Sequence, residues 1–396
     1  MEVKDFTMVI PSYWGQCEGE MEGSEEIVFD HPTALDSIGT LGQLLDSLDI
    51  FVRLPGKIVI IAVSNQRKIA AEVEDKINQI VTPYRQRYDI CTLGQSSLTK
   101  IKQQLVSRGV SEKALAMVSL DNYATVRNIC SLAGILDGSR YTIFIDDDEV
   151  FTDRHFLEKI DENMQRQYKH DTIAAITGYC LQNDTYRLDV SKVPQWRLPY
   201  WNNTASMNEA FDLLIGQGER LKPTPFALGG NMTIALDVLK KVPFDPRITR
   251  GEDIDFLLNL RIHGIKFYLD RELAIEHLQP ASTQKDWIKM REDAVRFLYE
   301  RKKVTDHDQL SLSELQPYPG QFLGDDLEER IIKSCELLKS VYESRMDEEG
   351  VIQCQNIIAM ANENPFAKFD TGSWLIEITA DWQEITDRAA GLGIPE

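Results

Sequence analysis

Apolar and polar positions alternate along the first part of the chain in a β-then-α rhythm. Phe6–Pro11 (FTMVIP) is a short apolar run that predicts a strand ending at proline. Thr40–Leu48 places Leu41, Leu44, Leu45 and Leu48 at helical spacing. Lys57–Val63 (KIVIIAV) is a nearly unbroken β-branched run, the signature of a strand buried on both faces. Arg67–Tyr84 predicts a helix through Ile69, Val73, Ile77, Ile80 and Val81. Ile90–Leu93 and Tyr141–Ile145 predict strands, and Ser97–Ser107 and Val126–Leu136 predict helices. Segments alternating at this length predict an α/β fold, a mostly parallel sheet with helices on both faces.

The rhythm becomes irregular after Asp148. Ile173–Gly178 and Lys266–Leu269 predict strands, and Ala235–Val242 and Ile254–His263 predict helices. Gln182–Phe226 contains Pro194, Pro199, Pro223 and Pro225 and is expected to be loop-rich. From Asp286 the periodicity is helical, over Asp286–Arg301, Asp326–Ser344 and Val351–Asn362. The expected division is a catalytic α/β part over 1–285 and a C-terminal helical region over 286–396.

Charge narrows the partners. With 43 Lys and Arg against 63 Asp and Glu, the formal charge is −20. Such a surface repels nucleic-acid backbones and anionic lipid. No apolar run approaches the ~18 residues of a membrane span, and the opening residues lack a basic, then apolar, leader. A cytoplasmic protein without an integral membrane anchor is expected. The six cysteines are dispersed, without metal-ligand spacing. Glu18–Glu26 holds five glutamates in nine residues and reads as a solvated loop.

Three segments carry candidate chemistry. In Tyr141–Phe151 (YTIFIDDDEVF) a buried strand runs directly into Asp146, Asp147, Asp148 and Glu149. Ligands of open α/β sheets sit beyond the carboxyl ends of strands. Adjacent carboxylates there repel each other unless a cation or solvent relieves them, and hard oxygens suit Mg²⁺ or Mn²⁺ beside substrate phosphates. An acidic strand end capping the next helix is the plainer alternative. In Thr249–Phe256 (TRGEDIDF) three carboxylates open a helix. They meet its dipole, or one of them serves as a general base. His277 follows a predicted strand and gains interest only if it shares a pocket with the other two. Gly229 and Gly230 allow close backbone approach and are expected to precede a helix. Neither GxxxxGK[ST] nor GxGxxG occurs, which removes support for ordinary nucleotide hydrolysis and dinucleotide redox chemistry.

Taken in order, MVIPSYWG, VRNICSLAGILDGSRYTIFIDDDEVF and LGGNMTIALDVLKKVPFDPRITRGEDIDFLLNLRIHGIKFYLDRELAIEHLQP resemble the motifs of GT-A fold glycosyltransferases, close to family two, over roughly residues 6–280. The resemblance implies a Rossmann-like GT-A domain and metal-dependent transfer of a sugar, a hexose in particular, from a nucleotide-sugar donor to an acceptor hydroxyl. It implies a DXD element with Asp146 and Asp148 at Mn²⁺ or Mg²⁺, His277 completing the shell, Asp253 as base and Glu252 orienting base or acceptor. Pro11, Tyr13, Arg127 and Asn128 fall where relatives shape the nucleotide pocket. Asp147, Asn65 and Gly230 join them as expected donor contacts. Direct displacement would invert the anomeric carbon, with retention in the same fold as the alternative. A nucleotidyltransferase and an idle scaffold are weaker alternatives.

Two departures stand out. The acidic turn usual after the second strand is here Val63-Ser64-Asn65-Gln66, and a long insertion runs from Gly15 to about Ala34. Trp196 and Trp201 are expected to offer aromatic faces to an acceptor, with core packing as the alternative. Arg187, Arg197 and Arg220 are weighed as anion contacts against plain surface charge. The expected partners are a UDP- or GDP-linked sugar and a sugar or small hydroxylated acceptor. The C-terminal helices are expected to pack on the α/β part, cover the acceptor cleft or form a homo-oligomer face.

Overall fold

The structure is a computed structural model, and it describes residues 5–17, 29–278 and 284–395. The insertion's acidic segment, Glu18–Glu26, lies outside the described residues. The first half of the chain is β1 (Phe6–Gly15), α1 (Leu41–Ser47), β2 (Lys57–Ser64), α2 (Ala70–Val81), β3 (Ile90–Leu93), α3 (Gln95–Ser107), α4 (Tyr123–Asp137) and β4 (Tyr141–Ile145). β1 pairs in parallel with β2 and β4, and β2 with β3. β1, β2 and β4 are buried on both faces, as their continuous apolar runs require.

α4 packs against β1, β2 and β4 and is buried almost throughout. Its start is fixed by a capping box: the Asn122 side chain accepts from the Thr125 N–H, and Thr125 Oγ1 accepts from the Asn122 N–H. Gly138 ends it at φ 74°, a left-handed conformation natural to glycine.

The second half is α5 (Phe156–Asn163), β5 (Ala175–Leu181), α6 (Asn203–Leu214), β6 (Asn231–Ala235), α7 (Leu236–Lys241), α8 (Glu252–Ile262) and β7 (Tyr268–His277). The sheet order is β3-β2-β1-β4-β6-β5-β7, with Leu221–Pro223 as an edge strand beyond β7. β6 is antiparallel to both neighbours, while β5 and β7 run parallel to each other. The carboxyl ends of β1, β2, β4, β5 and β7 therefore share one edge of the sheet with the start of β6. A mostly parallel sheet with helices packed around it and C-terminal helices beyond it makes an α/β architecture.

Several boundaries differ from the sequence pattern. β1 continues past Pro11. That residue falls between the pairing with β4, which ends at Val9, and the pairing with Thr33–Ala34, which begins at Trp14. Gly229-Gly230 precede a strand, not a helix. β7 extends to His277 because Asp270, charged in sequence, is buried against Arg220, with the guanidinium Nε 2.9 Å from Oδ1; the register shifts between Leu269 and Ala274. The loop-rich segment contains α6, started by the Asn202 side chain accepting from the Ala205 N–H.

The C-terminal part is α9 (Asp286–Asp306), α10 (Leu327–Ser344), α11 (Glu348–Glu363) and α12 (Thr371–Ala389). It shares one apolar core with the sheet region. Trp382 is fully buried and donates to the Leu239 carbonyl at 2.7 Å. Lys303 of α9, also fully buried, donates to Asp255 (2.6 Å), Asn259 (2.9 Å) and Asp245 (3.1 Å). No helix among the described residues is long and apolar enough to cross a membrane.

Candidate active site

The acidic strand end forms a turn that spreads three aspartates. Glu149 N–H donates to the Asp146 carbonyl at 3.2 Å, and the Asp146 N–H donates to the buried Glu149 carboxyl at 3.0 Å. Burial, with Asp146 and Asp148 beside it, pushes Glu149 well above the usual carboxylate range. Glu149 thus braces the turn from beneath through the Asp146 N–H. Gly230 makes room for it: a Cβ there would lie 2.4 Å from Glu149 Oε2.

Each aspartate then meets a different partner. Asp146 faces Arg127, whose Nη1 is 2.9 Å from Oδ1 and whose Nη2 donates to Oδ2 at 3.2 Å. Asp147 accepts from Ser12, which in turn accepts from the Trp14 indole N–H. Burial and then the Asp148 charge raise Asp147 well above its ordinary value. Asp148 lies 3.0 Å from His277 Nε2.

The pairing of Asp148 and His277 is built by the backbone. Glu149–Val150 pairs antiparallel with the last two residues of β7, and the Leu278 N–H donates to the Asp148 carbonyl at 2.8 Å. Burial alone would raise Asp148, but the His277 hydrogen bond and charge leave it below its ordinary value. Burial likewise opposes charge on His277, and Asp148 overcomes it, so the imidazole is raised. His277 is the terminal residue of β7 and not a residue beyond it.

The second carboxylate group opens α8. Gly251 sits at φ 73°, and a Cβ there would fall 1.9 Å from Arg296 Nη1, so both conformation and space call for glycine. Glu252 accepts from Arg127 Nε at 3.1 Å. One buried guanidinium therefore ties the strand-end aspartate to the helix-start glutamate. Asp253 accepts from the backbone N–H of Gly229 at 3.0 Å and of Ile254 at 2.8 Å. Burial raises Asp253 above the ordinary aspartate value, and the Ile254 N–H and the Arg296 and Arg127 charges only partly offset it.

Asp146, Asp147, Asp148, His277, Glu252, Asp253, Arg127 and Tyr13 all line one cavity of ≈ 670 Å³, within the size range of small-molecule sites. The strand-end turn, the start of α8, the end of β7 and Tyr13 of β1 thus meet at one cavity. Among the described residues no three His, Cys, Asp or Glu side chains form a metal cluster. One carboxylate and one imidazole, Asp148 and His277, are nevertheless a fitting donor pair for an ion that takes its remaining ligands from substrate phosphates. Asp146 is already engaged by Arg127, so its expected metal role has to compete with that ion pair.

Other expected contacts lie elsewhere. Pro11, Asn65, Asn128 and Gly230 do not line the cavity. Asn128 is fully buried and clamps backbone, donating to the Met117 and Phe244 carbonyls and accepting from the Phe244 N–H. Asn65 is buried at the end of β2, its N–H on the Trp14 carbonyl. Trp196 and Trp201 are buried packing residues that do not face the cavity; Trp201 donates to Asp293 at 3.3 Å. Arg187, Arg197 and Arg220 are held by Asp212, Asp293 and Asp270.

The cavity also holds residues without an evident sequence signal. Asp30 and His31 enter from the end of the insertion, and Arg296, Asp293 and Tyr318 enter from the C-terminal part. In sequence, Asp293, Arg296 and Glu300 have the i, i+3, i+7 spacing of an exposed helix face. Arg250, just before Gly251-Glu252-Asp253, lines the cavity too.

The sequence matches no family model and no curated protein. Among solved structures, the chain is similar to the mannosyltransferase PcManGT from Pyrobaculum calidifontis, in complex with GDP-Man and Mn²⁺, at 10% identity and TM-score 0.45 over 99% of this chain and 88% of that one. It is also similar to a mycobacterial protein, at 13% identity and TM-score 0.38 over 74% of each chain. A third is A197 from STIV, at 11% identity and TM-score 0.25 over 71% of this chain and 98% of that one. These are distant likenesses of chain path, and the chemistry rests on the side chains of the site itself.

Proposed function

We propose that the chain is a glycosyltransferase that moves a sugar from a nucleotide-sugar donor to an acceptor hydroxyl. The observation that carries this reading is one cavity holding two separate acidic centres: Asp148 with His277 at the strand end, and Asp253 on two backbone N–H groups at the start of α8. The first suits a diphosphate accompanied by a divalent cation, and the second suits proton removal from a hydroxyl.

Asp148 and His277 would hold Mn²⁺ or Mg²⁺. Bound there, the ion would neutralise charge developing on the leaving nucleoside diphosphate. Arg127, fixed between Asp146 and Glu252, keeps both acidic centres in register. Burial makes Asp253 more basic than a free aspartate, which suits a general base. Its two N–H contacts aim the carboxylate, and Glu252 beside it is restrained by Arg127. The acceptor oxygen attacks the anomeric carbon as Asp253 takes its proton, the bond to the diphosphate oxygen breaks, and configuration inverts.

The test is release of nucleoside diphosphate together with appearance of glycosylated product, across UDP- and GDP-sugars with Mn²⁺ and hydroxylated acceptors. Asp253→Asn is expected to lower turnover about 10²- to 10⁴-fold while donor binding persists. Turnover close to wild type removes Asp253 as base. Retained configuration in the product overturns direct displacement.

A further inference from the structure

We propose that the part of the cavity formed by Arg250 and Arg296 is an acceptor subsite for an anionic group, a carboxylate or a phosphate. This rests on the glycosyl-transfer reading and names the acceptor class.

The two guanidiniums reach the cavity from different parts of the chain, Arg250 from the turn before α8 and Arg296 from α9. Arg296 is only 7% exposed. It lies against Gly251, so its cationic head stands beside the Glu252–Asp253 pair. Nη2 donates to Tyr318 Oη at 3.2 Å and to Asp293 at 3.5 Å, whereas Nε is buried without a hydrogen-bond partner among the described residues. Arg250 Nη2 lies 3.1 Å from Asp30, and its Nη1 is likewise buried and unpartnered among the described residues. Buried donors left unmade are costly, and guanidinium donors match carboxylate and phosphate oxygens.

The local charge points the same way. Asp293 is shared by Arg197 at 3.2 Å and Arg296 at 3.5 Å, and Arg250 has Asp30. Three guanidiniums thus meet two aspartates within a chain of net charge −20. Two more carboxylates lie nearby, Glu292 and Glu300, the latter 3.9 Å from Arg296 Nε, and burial raises them to about 7 and about 8, which weakens their hold on the guanidiniums. An anion seated on Arg250 and Arg296 would place the rest of a small acceptor beside Asp253, where a hydroxyl must lie to lose its proton.

The probes are glycerol, glycerate and glycerol 3-phosphate, matched in size and differing in charge. Thermal stabilisation by each is measured in EDTA, so that phosphate held by a metal does not contribute. Wild type is expected to respond to one or both anions and not to glycerol, and the stronger anion names the group. Arg296→Gln and Arg250→Gln should each weaken that response about tenfold or more. Arg296→Lys, which keeps the charge, should retain part of it. Equal response to glycerol, or two Gln variants that respond like wild type, overturns the subsite. A separate arm measures Mn²⁺-dependent stabilisation of wild type by UDP- and GDP-sugars. If that arm is positive and no anion preference exists, only the subsite falls. If no nucleotide sugar binds, the transfer reading falls, and the acceptor role with it.

Discussion

At Asp148, the neighbouring His277 decides what the carboxylate can do. His277 lies 3.0 Å away, and both side chains face the cavity. The pair gives a specific pH window in the absence of metal. Asp148 is lowered, so its contribution to stability is present above the ordinary aspartate value of about 3.9 and is lost as pH falls through its depressed value. His277 is raised, so its contribution is complete below the ordinary histidine value of about 6.5 and is lost as pH rises through its elevated one. Metal-free protein should therefore lose stability on the alkaline side, and His277→Gln should flatten that limb; an unchanged profile contradicts the pairing. Activity has a different residue at its acid limb. Asp253 must be ionised to accept a proton, and burial raises it. The rate kcat/KM should fall tenfold per pH unit below a midpoint higher than that of a free aspartate, and a midpoint at or below the free value contradicts its role as base.

Among the elements, α8 carries Asp253, the proposed base, and α9 holds that helix in place. Lys303 of α9 bonds Asp255 and Asn259 on α8 and Asp245 in the preceding loop, all without exposure to solvent. Lys303→Ala leaves two carboxylates buried without their cation and should cost about 3–5 kcal/mol in denaturant unfolding. A loss below 1 kcal/mol, roughly the value of an exposed pair, would contradict that burial. The elements legible in sequence were those whose neighbours do not matter. β2 and β4 are buried on both faces, so their apolar runs announce them, and the aspartates after Ile145 follow directly. β6 and the end of β7 were not legible. Asn231–Ala235 is too short to show a period, and Asp270 interrupts β7 with a charge that Arg220, 50 residues away in sequence, and the Asn163 amide make tolerable. Trp196 and Trp201 show the same limit from the other side. Aromatic residues in a proline-rich segment suit a sugar face or a core equally, and α9 and Phe322, packing on Trp201, decide for the core.

Across the whole molecule, the helical C-terminal part and the sheet region share one core and one cavity. Arg296, Asp293 and Tyr318 reach the same space as Asp148 and Asp253, so the site is complete only with both parts present. Trp382→Ala, far from the cavity, should destabilise by about 3–5 kcal/mol through lost packing. Unfolding followed by helical signal and by tryptophan fluorescence should give coincident transitions; two separated transitions would contradict a continuous core. The central claim is that this shared cavity takes a nucleotide sugar with a divalent cation at Asp148. Its most direct test is thermal stability of wild type and Asp148→Ala with UDP- and GDP-sugars, each with and without Mn²⁺. The account predicts a Mn²⁺-dependent rise with one nucleotide class in wild type and its loss in Asp148→Ala. A rise that is equal in the two proteins, or no rise with any nucleotide sugar, would contradict it.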